Sequence, residues 1–102
     1  MLIILSKSPS VNGYDSILKI AERAREKREK VAILHIQDAC IAATLDEYCE
    51  RLAEERIGAY VLRGDCEARG LLEKVGRDVK IVDYKGWVRL VMKEHDKIIS
   101  WT

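Results

Sequence analysis

Five short apolar runs constrain the fold: MLIIL at residues 1–5, VAILHI at 31–36, AYVL at 59–62, VKIV at 79–82 and IISW at 98–101. They are largely continuous rather than alternating apolar with polar, the pattern of strands buried on both faces. Between them, residues recur at helical spacing. Tyr14, Ile17, Leu18, Ala21 and Ala24 form an apolar face up to about Arg28, and the opposite face carries Lys19, Glu22, Arg23, Glu26 and Lys30. A second helix is expected over residues 39–55, capped by Asp38, with Ile41, Leu45, Tyr48, Cys49 and Leu52 on its apolar face. Asp65 is the expected cap of a short third helix ending near Lys74, with Gly76 suiting the stop after it. A fourth covers residues 87–93.

The resulting order, βαβαβαβαβ, predicts an α/β fold: a three-layer α/β/α sandwich with a mainly parallel five-stranded sheet, in one domain over residues 1–102. Right-handed crossovers then set the carboxyl ends of the strands along one edge, where α/β proteins usually bind ligands.

Composition narrows the functions available to such a domain. Apolar residues make up 48% and charged residues 34%, which describes a globular chain. A net charge of +1 argues against nucleic-acid binding driven by bulk electrostatics. The apolar runs are too short to cross a bilayer, and residues 1–5 lack the basic flank of a signal peptide. A cytoplasmic protein is expected. One Asn, one Gln and the high charge content suggest a thermophilic source. The three cysteines form no CxxC and have no ligand-like spacing with histidine, so no metal is expected.

The cysteines separate by position. Cys49 belongs to the apolar face of the second helix and reads as a small buried hydrophobe. Cys40 and Cys66 follow the carboxyl ends of the second and third strands, each in the first turn of a helix, where unpaired N–H groups favour a thiolate. Cys66 in RGDCEARG is the stronger candidate. Arg63 and Arg69 would lower its pKa, and Asp65 and Glu67 would oppose that shift. Cys66 is expected to be the most reactive of the three, and Cys40 to lie close enough across the sheet edge for a disulfide on oxidation. The loop SKSPSVNG at residues 6–13 stands where an anion or flavin phosphate could bind, but it lacks a glycine signature, and no cofactor is expected. His35 reads as a core histidine and His95 as a solvated one.

The carboxyl end, VDYKGWVRLVMKEHDKIISW at residues 82–101, resembles the ending of DsrH/TusB-type small subunits of the DsrE/DsrF/DsrH sulfur-relay family. The matching features are Asp83, Tyr84, Trp87-Val88-Arg89-Leu90 and the closing Trp101. Ser8-Pro9 after the first strand, Gln37-Asp38 after the second, and the turn Ala68-Arg69-Gly70-Leu71 are also similar to the family. The resemblance implies a subunit of a heterohexamer with paralogous DsrE/TusD- and DsrF/TusC-like chains, passing persulfide sulfur to a downstream acceptor protein. The destination it implies is 2-thiolation of the tRNA wobble uridine, or the equivalent step in sulfur oxidation. It involves no membrane and no direct nucleic-acid contact.

The family's principal carrier cysteine belongs to the DsrE/TusD-type paralogue, just after strand three. Leu62 occupies that position here, and Cys66 falls about one helical turn later. The resemblance therefore leaves two roles open: a sulfurtransferase-type persulfide carrier using Cys66 and, more weakly, Cys40, or a non-catalytic docking module. For association, with paralogues or with itself, Tyr84, Trp87 and Trp101 are the expected contributors.

Overall fold

The computed structural model describes residues 1–7, 14–95 and 97–101. Its strands are β1 (Leu2–Leu5), β2 (Ala32–His35), β3 (Gly58–Leu62), β4 (Lys80–Val82) and β5 (Ile98–Trp101). They form one sheet in the order β4-β3-β2-β1-β5, and every pairing is parallel. The helices are α1 (Tyr14–Glu26), α2 (Asp46–Glu54), α3 (Arg63–Ala68) and α4 (Tyr84–Arg89). The parallel α/β sandwich expected from the apolar runs is the observed fold.

The register explains how two cores form from strands that are apolar throughout. Leu5, His35 and Val61 lie in one row, and Ile4, Leu34 and Tyr60 in the next, facing the opposite side. On the first face, Ile3, Leu5, Ile33 and Val61 pack with Ile17, Leu18, Ala21 and Ala24 of α1 and with Tyr48, Cys49 and Leu52 of α2. On the second, Leu2, Ile4, Ala32 and Leu34 are covered by Leu90, with Trp87 and Val91 half-buried around it. That layer is one helix deep. It begins three residues before the expected start, because Asp83 caps α4 by accepting the Gly86 N–H at 2.8 Å. The turns after Arg89 continue as a π-helix over Leu90–Glu94.

The expected second helix is in fact two elements. Gln37–Thr44 is a 3₁₀ helix, and α2 starts only at Asp46, after Leu45 adopts an extended conformation. The small residues Ala39, Cys40, Ala42 and Ala43 are the buried ones, in pairs three apart as a three-residue turn requires. The break changes the helical phase, so Ile41 and Leu45, expected in the core, are each 41% exposed. Asp38 does not cap this element.

The third helix also differs. It begins at Arg63, two residues before Asp65, and Gly70 ends it in the left-handed region at φ 65°. A separate 3₁₀ turn covers Leu72–Lys74. Gly76 serves packing instead: a Cβ there would stand 2.9 Å from Cys49 Sγ. No helix among the described residues is long and apolar enough to cross a membrane.

Candidate functional site

The carboxyl ends of β2 and β3 bring Cys40 and Cys66 together beneath a polar clamp. Gln37, in the left-handed region at φ 50°, turns the chain sharply after β2. Its N–H donates to the Asp65 carboxylate of α3 at 2.7 Å. Outside this bond, Arg69 donates to Asp38 at 3.3 Å, tying the two crossovers a second time. A left-handed glutamine held by a carboxylate from another element is a local cost offset by tertiary structure.

Both thiols under the clamp are fully buried. The Cys40 S–H donates to the His35 carbonyl at 3.7 Å, and Cys66 is its neighbouring thiol from the other crossover. The contact between the two thiols raises the Cys40 pKa and lowers that of Cys66. Burial nevertheless dominates at both. It pushes Cys40 up to about 12, with the neighbouring Cys66 and Asp65 adding to the rise. Cys66 is also raised, because desolvation and Asp65 outweigh the contact with Cys40 and the charge of Arg69.

These findings correct the expected thiolate at a helix start. Cys66 is the fourth residue of a six-residue helix, beyond the first turn's three leading amides, and its surroundings are dry. Arg63 is engaged with Glu67 at 3.7 Å. Leu62, which the resemblance set at the carrier position, is half-buried at the end of β3. Cys49 lies apart from the pair, its Sγ 3.4 Å from the Ala43 carbonyl, and burial raises its pKa as well.

His35 is fully buried in the adjoining core. Its Nδ1 donates to the Tyr60 carbonyl at 2.8 Å, which makes Nε2 the acceptor for the Tyr48 hydroxyl at 2.7 Å. Burial lowers its pKa from 6.5 to about 4, and the bond to Tyr60 opposes the shift. This histidine is neutral and structural at pH 7. His95 is buried rather than solvated, its Nδ1 lying 3.3 Å from the Met1 amine. Residues 8–13 of the expected anion loop lie outside the described residues. With this strand order the usual ligand crevice falls beside β1 and β5, one strand away from the thiols. Among the described residues, no three His, Cys, Asp or Glu side chains gather as metal ligands would.

A second surface was only partly legible in the sequence. Tyr84, Val88 and Met92, spaced four apart along α4 and its π extension, are 70%, 42% and 73% exposed. With Ile4, Trp87, Val91 and Ile98 they line an open apolar cleft of about 300 Å³. Tyr84 meets Trp87 edge-on at 5.9 Å, whereas Trp101, grouped with them by composition, packs on the other face of the sheet. The four-residue spacing of Tyr84, Val88 and Met92 was the signal for this stripe.

These features define a class: a parallel α/β sandwich with a closed dithiol at the sheet's carboxyl edge and an uncovered apolar stripe on its thinner layer. The DsrH like protein family matches residues 7–97. Protein TusB of Pectobacterium parmentieri is 34% identical over 102 residues, and Protein TusB of Escherichia coli K12 is 31% identical, each alignment covering 99% of this chain and 100% of the relative. The chain belongs to the DsrH/TusB family. The crystal structure of the ychN protein from E. coli shares the fold with a TM-score of 0.81, at 14% identity, over 98% of this chain and 97% of that one.

Proposed function

We infer that this chain works as the small DsrH/TusB-type subunit of a cytoplasmic sulfur-relay complex, folded as one domain over residues 1–102. It joins DsrE/TusD- and DsrF/TusC-like chains, and the complex passes sulfur to an acceptor protein for 2-thiolation of the tRNA wobble uridine. The observation that carries this reading is the full-length relation to TusB chains from two genera. The stripe of Tyr84, Val88 and Met92 supports it, since an uncovered apolar row on a one-helix layer is what a subunit contact would bury. Docking needs no ionised thiol, which agrees with the buried, protonated state of all three cysteines. Where this chain itself takes up sulfur, Cys66 is the proposed acceptor with Cys40 behind it, reached when α3 lifts from the 3₁₀ helix.

Co-expression with the two paralogous chains tests the assembly. The expected result is one complex containing all three, weakened when Tyr84→Ser and Met92→Ser are combined. A chain that stays monomeric by light scattering at high concentration with both paralogues present overturns the reading.

A further inference from the structure

Cys40 and Cys66 are a matched pair and not two isolated thiols. They come from different crossovers, are neighbours in the same dry site, and are closed in by the Gln37–Asp65 and Arg69–Asp38 contacts. Cys49 is directed elsewhere, toward Ala43 and Gly76. We propose that Cys40 and Cys66 form a discharging dithiol: a sulfane sulfur accepted by Cys66 is expelled as hydrosulfide by Cys40, leaving a Cys40–Cys66 disulfide. This inference rests on Cys66 being the sulfur-accepting thiol of the proposed function.

The chemistry balances in two steps. The Cys66 thiol first takes one sulfur atom from an inorganic polysulfide, giving a Cys66 persulfide anion and the protonated polysulfide shortened by one sulfur. Cys40 then attacks Cys66 Sγ. The new S–S bond forms as the persulfide bond breaks, and the Cys40 proton leaves with the outer sulfur as HS⁻. That sulfur is reduced and the two cysteine sulfurs are oxidised, so the polysulfide itself is the oxidant.

The site favours completing the second step over storing the persulfide. A persulfide is an anion at neutral pH, and here it would be desolvated beside the carboxylate of Asp65. Closing the disulfide removes that charge from the dry site. The two neighbouring sulfurs need only close to the ~2.05 Å of an S–S bond.

The test treats the reduced full-length chain with inorganic polysulfide, alkylates it, and maps peptides after cleavage at Glu47, which separates Cys40 from Cys49. The expected products are a Cys40–Cys66 disulfide, Cys49 still alkylated, and about one sulfide released per disulfide by the balance above. Asp38→Asn, which opens the outer ion pair, should react about two- to fivefold faster, in keeping with the small worth of exposed pairs. Cys40→Ala should keep the extra sulfur on Cys66, and thermal unfolding checks that this variant is folded. The parent's map decides the matter by itself. A lasting Cys66 persulfide in the parent overturns the discharge and leaves the acceptor role standing. A disulfide that includes Cys49 also overturns the discharge, and three unmodified thiols overturn both.

Discussion

His35 is held neutral between two partners, and lowering the pH tests that arrangement quantitatively. Protonation would turn Nε2 from an acceptor into a donor facing the Tyr48 hydroxyl, in a site with no solvent access. The folded pKa of about 4 lies below the ordinary value of 6.5, so the unfolded chain binds the extra proton first. The stability this group contributes is therefore complete above pH 6.5 and is lost as the pH falls from 6.5 toward 4. At about 1.4 kcal/mol per pH unit of pKa difference, the loss is about 2 kcal/mol by pH 5 and about 3 kcal/mol by pH 4. Urea unfolding at pH 7.5, 6, 5 and 4 measures it, with His35→Asn as the control. The asparagine amide can still donate to the Tyr60 carbonyl but cannot be protonated in this range. It leaves Tyr48 without this acceptor, a uniform cost of about 1–3 kcal/mol at every pH. Every other group is common to both chains, so the difference between the two pH profiles isolates His35. Equal slopes for parent and His35→Asn between pH 6.5 and 4 would refute the reasoning.

Two further outcomes follow from the same contacts. Cys40 should be the last of the three thiols to react with iodoacetamide in the native protein at pH 7. A pKa of about 12 against the ordinary 9.0 leaves about a thousandfold less thiolate than an unshifted thiol has, and peptide mapping in which Cys40 labels first contradicts this. Gly76→Ala should destabilise the fold by about 1–3 kcal/mol by pressing a methyl against Cys49 Sγ, with most of the loss absent in a Cys49→Ala background. Additive effects in denaturant titrations of the double variant would show that the contact is not the cause.

The sheet and its layers were legible in the apolar runs. Continuous apolar runs such as MLIIL and VAILHI can bury both faces only in a parallel sheet flanked by helices, and the β5 bounds at Ile98–Trp101 matched the sequence pattern. It also identified Cys40 and Cys66 as neighbours at one sheet edge, because topology places every β-strand's carboxyl end there. Tertiary structure decided their chemistry. Helix-start rules favour a thiolate, yet the cost of removing a charge from water exceeds what a few backbone dipoles return, and that cost depends on packing from other elements. The same reason governs His35, whose neutrality is imposed by burial beneath other elements, against the bond to Tyr60. It governs the 39–55 segment too. Local helical propensity runs through Leu45, but Ala39, Cys40, Ala42 and Ala43 are small enough to pack flat in a 3₁₀ turn, and burial outweighed the continuous helix. Periodicity along one chain reports which residues avoid water; only the packed neighbours decide which charges, turns and thiols that dryness permits.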